Sequence, residues 1–213
     1  LKARDFYKLA ATKNHPGAMT RLGRAGLLGD LGEATEREAI KWLKRATDSA
    51  DMQHNDAPFY LAQLYEHGFG DIFKDEPYAA QLYTQAADLG QCDAAFRLGE
   101  AYEHGQLGCP RDPSLSVHFY TMASAKGHPT AMFNLCAWYM VGAEPGLEKD
   151  EDEAYEWAKR AAEAGMCEIS EFFTWSIFQW ARKGKSGSVL PSDERLPVLN
   201  LVDRWMVSFP MAE

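Results

Sequence analysis

Apolar residues recur along this chain as two alternating helical stripes, and the whole arrangement returns at a nearly fixed interval. Ala57, Leu61 and Tyr65 stand at i, i+4 and i+8, which at about 100° per residue puts them on one stripe that must be buried. Leu61, Leu98 and Leu135 are spaced by 37 and 37, as are Tyr65, Tyr102 and Tyr139, and Gly68, Gly105 and Gly142. Asp75, Asp112 and Asp150 then recur at 37 and 38, as do Gly90, Gly127 and Gly165. Several landmarks returning together at such a period signify stacked copies of one unit.

Each copy reads as two helices. In the first, the small residues Ala62, Gly99 and Cys136 follow the leucine directly and suit the close approach of a neighbouring helix. Gly68, Gly105 and Gly142 end it, glycine being the residue that adopts the left-handed conformation past a helix terminus. The second helix opens on Asp75, Asp112 or Asp150, and on Thr35 in the loosest copy, whose side-chain oxygens cap free backbone amides. Thr35 with Glu38 and Asp150 with Glu153 have capping-box spacing, and Pro77 and Pro113 fall in the first turn, where proline is tolerated. The second stripe, Ala79, Leu82, Tyr83 and Ala86 or Ala154, Trp157, Ala158 and Ala161, alternates large and small side chains as interdigitating helices require.

The pattern predicts an all-α fold, a right-handed α-solenoid of antiparallel helix pairs over residues 1–166. A half unit spans 1–16, and full units span 17–55, 56–91, 92–128 and 129–166. Residues 167–213 keep helical apolar spacing but lose the landmarks, so they read as an atypical C-terminal helix and tail. Phe172, Phe173, Trp175, Ile177, Phe178 and Trp180 are too apolar for an open end cap. Either the final stretch folds back over them as a short helix, or both segments derive from mis-spliced sequence. The chain opens on Leu1, part-way through the pattern, and reads as a piece of a longer protein.

Charge and chemistry narrow the function. A net charge of -9 argues against a general nucleic-acid binder, which concentrates Lys and Arg to displace counterions. No window of about 18 apolar residues exists, and the opening LKARDFYKLA is charged throughout, so neither a membrane span nor a secretory signal is legible; a cytosolic or nuclear location follows. Cys92, Cys109, Cys136 and Cys167 are scattered singly, which fits neither a zinc site nor a disulfide framework. GKSG at 184–187 lacks the first glycine of a phosphate loop. The acidic run at 148–153 lacks the alternating ligands and central glycine of a calcium loop. No nucleophile–base constellation is visible, and neither an enzyme activity nor a cofactor is expected.

The pattern A-x-x-x-L-G-x-x-Y-x-x-G, D-x-x-x-A-x-x-W/F/L-Y, A-A/S-x-x-G resembles the Sel-one-like repeat branch of the tetratricopeptide superfamily. It is carried by Leu98-Gly99, Tyr102, Gly105, Asp112, Phe119-Tyr120 and Gly127. Within that branch the segments Gln106 to Pro113, Trp138 to Glu144 and Glu153 to Ala162 resemble the fungal chitin synthase activators. The resemblance implies a cytoplasmic scaffold, peripheral at the plasma membrane, that binds a chitin synthase and promotes its activity or placement. The terminal FPMAE carries no prenylation cysteine, so the membrane would be reached only through the protein partner. Two other readings stay open: an adaptor of membrane-bound ubiquitin-ligase assemblies, and a cysteine-rich repeat enzyme of β-lactam hydrolysis. The first would need a signal peptide or glycosylation acceptors, and the second a cysteine where Ala86 and Ala161 stand.

On the first helix, with Ala57 at zero, Phe59, Gln63 and Glu66 fall at about 200°, 240° and 180°, away from the helix's own core. The same positions hold Phe96, Glu100 and Glu103, then Phe133, Ala137 and Met140. The tetratricopeptide resemblance implies that this face lines a concave groove that docks extended peptides or helices. The expected partner groove is Phe59, Gln63, Glu66, His67, Phe96, Glu100, Glu103, His104, Phe133 and Met140. The alternative is that the three phenylalanines pack between helices as core. His67 and His104 lie one repeat apart, about 10 Å, too far for one metal ion to reach both.

Overall fold

A computed structural model describes residues 2–29, 36–143 and 147–165. Among them are nine α-helices and no strand: α1 Lys2–Thr12, α2 Pro16–Leu27, α3 Glu36–Asp48, α4 Asp56–His67, α5 Glu76–Asp88, α6 Cys92–His104, α7 Pro113–Ala125, α8 Pro129–Val141 and α9 Glu151–Glu163. The chain divides into two compact units, Leu1–Lys126 and Gly127–Glu213. In the first, α2 packs on α3, α4 on α5 and α6 on α7 as helix pairs, and α1·α2, α3·α4 and α5·α6 contacts join successive pairs. In the second, α8 packs on α9. This is an all-α helical-repeat solenoid. The expected cap at Thr35 and the expected atypical segment 167–213 lie outside the described residues.

The helix signals act as physical stops. The Asp75 carboxylate accepts from the Tyr78 amide at 3.1 Å, that of Asp112 from Leu115 at 3.0 Å, and that of Asp150 from Asp152 and Glu153, both at 3.0 Å. α6 ends on Gly105 at φ 69°, a left-handed residue whose amide donates to the Ala101 carbonyl. The loop between paired helices is fastened at its far end by a recurring hydrogen bond. The amides of Asp75, Asp112 and Asp150 donate to the carbonyls of Tyr65, Tyr102 and Tyr139 at 2.8, 2.9 and 2.9 Å. Three of the first helices, α2, α6 and α8, are capped by residues outside the usual oxygen set, while α4 begins after Asn55 without a side-chain cap. The His15 and His128 imidazoles accept from Ala18 and Ala131, and the Gln91 amide oxygen accepts from Ala94.

The core follows the two stripes, with one shift. Ala57, Leu61, Ala79, Leu82, Tyr83 and Ala86 are buried, as are Ala94, Leu98, Tyr120 and Ala123. Tyr65 and Tyr102, expected inside, are only half-buried. Tyr65 packs edge-on against Tyr78 at 4.7 Å between ring centres, and Tyr102 stacks on Phe119 at 5.5 Å. They cover the rim of each helix pair with half-buried rings. In the second unit Cys136, Ala154, Tyr155 and Ala158 form a cluster against which Tyr139, Met140 and Trp157 pack.

Two buried serines of α7, Ser116 and Ser124, have hydroxyls without a hydrogen-bond partner. Ser116 is fully buried, and Ala39, Ala79 and Ala154 occupy the corresponding place in the other second helices. Removing a buried, unsatisfied hydroxyl without changing the backbone is favourable. Ser116→Ala is expected to raise stability by about 1 kcal/mol, or roughly 2–4 °C in Tm. Urea and thermal unfolding check this, and a loss of stability would contradict it.

Candidate functional site: the outward face of the first helices

The first helices of unit 1 are α2, α4 and α6, and their outward positions correspond one to one. Counting from the core leucines Leu22, Leu61 and Leu98, the preceding residues are Arg21, Tyr60 and Arg97, and the residues two further on are Arg24, Gln63 and Glu100. The Arg24 guanidinium lies 4.4 Å from the centre of the Tyr60 ring, a cation–π contact that joins α2 to α4. Arg97 joins α6 to α4: its Nε and Nη2 donate to Glu66 Oε1 at 3.1 and 2.6 Å. Arg97 Nη1 also donates to Gln106 Oε1 at 2.9 Å and lies 3.6 Å from Glu100 Oε2. These contacts make the three helices one continuous surface.

Glu66 does not face outward as expected. It is 8% exposed, because the other carboxylate oxygen turns inward and accepts from the buried Tyr83 hydroxyl at 2.6 Å. Burial pushes the Glu66 carboxyl up, but the Arg97 and Tyr83 hydrogen bonds outweigh it and leave it below the ordinary carboxylate range. Burial and the adjacent carboxylate raise the Tyr83 phenol in turn. Glu103 repeats the motif, accepting from Tyr120 at 2.6 Å, and is half-buried. Phe59 and Phe96 are half-buried too, their rings 5.8 and 5.7 Å from Tyr83 and Tyr120. They lean on the second helix of their own copy.

Of the remaining expected residues, Gln63, His67 and His104 are exposed and Glu100 is half-exposed. Burial holds the Glu100 carboxyl above its ordinary range despite Arg97. Phe133 and Met140 belong to the second unit, where both are half-buried and Met140 packs against the Cys136 cluster. Sequence periodicity did not single out Arg97, Tyr60 or Arg24; the signal available was their shared position before and after the core leucine.

Repeated helix pairs of this length and packing match solved proteins. A family profile described as Sel1 repeat matches residues 1–15, 16–51, 56–91, 92–128 and 129–166. The chain belongs to the Sel1 repeat family. It is 45% identical over 188 residues to the chitin synthase regulator SKT5 of Saccharomyces cerevisiae, a stretch covering 86% of this chain and 27% of that protein. It is 44% identical over 144 residues to the chitin synthase regulator SKT5 of Malassezia restricta, covering 67% of this chain and 10% of that one. The chain therefore spans about a quarter or less of the length of these relatives. A Sel1 repeat protein from Oxalobacter formigenes aligns with a TM-score of 0.72 and 27% identity, over 98% of this chain and 79% of that one. Membership makes the chain a non-enzymatic repeat scaffold, an adaptor for protein–protein interaction.

Three of the four cysteines lie among the described residues, and Cys167 lies outside them. Cys136 is fully buried, and burial pushes its thiol up to about 12. Cys92 and Cys109 are half-exposed. Since only the thiolate reacts, native-state alkylation followed by peptide mapping is expected to label Cys92 and Cys109 well before Cys136. Equal rates would show that α8 opens readily. Among the described residues no group of three His, Cys, Asp or Glu is placed to hold a metal ion, and no helix is long and apolar enough to cross a membrane.

Proposed function

We propose that this chain is the repeat region of a chitin synthase regulator, which binds a segment of the synthase on the outward face of its first helices and so recruits or activates it. The observation that carries this is the 45% identity over 188 residues to a protein named for that role. The exposed Gln63, the half-exposed Glu100 and the half-buried Phe59 and Phe96 supply the mixture of polar and aromatic groups that peptide-docking grooves use. The protein would work on the cytoplasmic side of the plasma membrane, held there through its partner.

The test is a pull-down from fungal membranes with the full-length protein, wild type against Gln63→Trp. Gln63 is exposed, so the tryptophan fills the face without disturbing the core. Chitin synthase should be recovered with wild type and reduced at least tenfold with the variant. Failure of wild type to recover any chitin synthase would remove the proposal.

A further inference from the structure

The outward face is electrically polar along its length, in a chain whose net charge is -9. Its α2 end presents Arg21 and Arg24, both exposed. These stand three apart and so share one side of the helix. The middle, α4, presents Tyr60, Gln63 and His67, because the charge of Glu66 is offset by Arg97. With Arg97 committed to Glu66 at 2.6 Å and only 3.6 Å from Glu100, the α6 end is left with the carboxylates of Glu100 and Glu103. Two positive charges at the α2 end therefore face Glu100 and Glu103 at the α6 end, to which the exposed Asp93 adds a further carboxylate, while Asp56 stands beside Tyr60 in the middle.

We propose that this face selects an extended peptide segment of opposite polarity, with an acidic residue seated at Arg21 and Arg24 and a basic residue at Glu100 and Glu103. This rests on the docking reading above and specifies its ligand. Three adjacent first helices span two helix spacings of roughly 10 Å each, and extended chain advances about 3.3 Å per residue. The acidic and basic residues of the ligand are then about six positions apart. The interval between them crosses Gln63, which offers an amide able to bond an extended backbone, beside the Tyr60 ring that the Arg24 guanidinium covers. Like charges at either end suppress a segment bound backwards, so polarity also fixes the direction of the bound chain. The burial that raises Glu100 adds to this preference, since a cation placed there stabilises a carboxylate that is otherwise poorly solvated.

The experiment is selection of random dodecapeptides by phage display on the 213-residue chain, on the double variant Arg21→Glu/Arg24→Glu, and on Gln63→Trp. Circular dichroism confirms that each is folded. Peptides enriched on wild type should carry an acidic and a basic residue about six apart in one consistent order. They should lose at least tenfold in affinity on the double variant, which should instead enrich peptides basic at both ends. Enriched peptides without such polarity, or with undiminished binding to the double variant, would overturn the proposal while leaving the docking face intact if Gln63→Trp still abolishes binding. Binding that survives Gln63→Trp would remove the docking face itself. No enrichment at all, or a self-association of the chain that the double variant abolishes, would overturn the peptide as occupant.

Discussion

Arg97→Leu is expected to lower the stability of the repeat array by about 2–3 kcal/mol, because it strands the Glu66 carboxylate inside the protein with only the Tyr83 hydroxyl for company. Removing one partner of a fully buried ion pair costs roughly 3–5 kcal/mol. The lower figure applies here because the Arg97 side chain keeps 23% exposure. The loss measures an uncompensated charge rather than the worth of the pair, and the chain itself shows the alternative. Where α4 and α5 hold Glu66 and Tyr83, the corresponding positions hold Leu27 and Leu43 in the preceding copy and Met140 and Ala158 in the last. The triple change Glu66→Met, Tyr83→Phe, Arg97→Leu should therefore recover most of the lost stability. Urea unfolding of the single and triple variants decides the matter; a triple variant no better than the single would mean that the network holds α4 against α6 in a way apolar contact does not replace.

The same network fixes a pH dependence. The Glu66 carboxyl is held below its ordinary range in the folded protein, so its contribution is complete above the unfolded value of about 4.3. That contribution is lost as pH falls through the lower folded value. Glu66→Gln should flatten the dependence of stability on pH between about pH 5 and pH 3 and leave the neutral-to-alkaline limb unaltered.

Gly99→Val should cost about 2–3 kcal/mol, within the range for forcing extra atoms into a packed core. A Cβ built on Gly99 would lie 2.5 and 2.6 Å from two ring carbons of Tyr120. That ring is fully buried, and its hydroxyl is tied to Glu103, so it has no room to withdraw. Gly99→Ala brings the same Cβ against the ring and should also cost stability, though less than valine with its two further methyl groups. Alanine regains roughly 1 kcal/mol of helix propensity, and the preceding copy already carries Ala62 with Tyr83. Tyr120→Leu introduced beside Gly99→Val should not restore the loss, since a Cβ built on Gly23 would lie 2.5 Å from Cγ of Leu43, its neighbour across the pair. Thermal unfolding of the three variants tests the order, and equal effects of alanine and valine would show that the crowding is relieved by backbone movement.

The fold was largely legible because its signals are local. Asp75, Asp112 and Asp150 cap because an oxygen two or three residues ahead of a free amide can hardly do otherwise, and Gly105 ends α6 in the conformation that glycine alone enters cheaply. Histidine and glutamine caps escaped notice because His15, Gln91 and His128 lie outside the usual set, although each offers one well-placed acceptor. The outer face was less legible. A helical wheel treats every side chain as a straight spoke, but Glu66 is long enough to turn back and reach a hydroxyl 17 residues away. Arg97 was hidden for the related reason that its partner is 31 residues away and belongs to a different helix pair.

The bond from each capping aspartate amide to the tyrosine carbonyl of the preceding helix has a consequence for how such arrays change over time. It holds at 2.8–2.9 Å although the separation is ten residues in two copies and eleven in the third. The intervening segment is thus relieved of any duty to set the geometry of the helix pair. Phe73, 90% exposed in one such segment, illustrates the freedom this leaves. These segments are the natural ports of the array, where residues can be added, exchanged or grafted from elsewhere while the helices behind them keep their register.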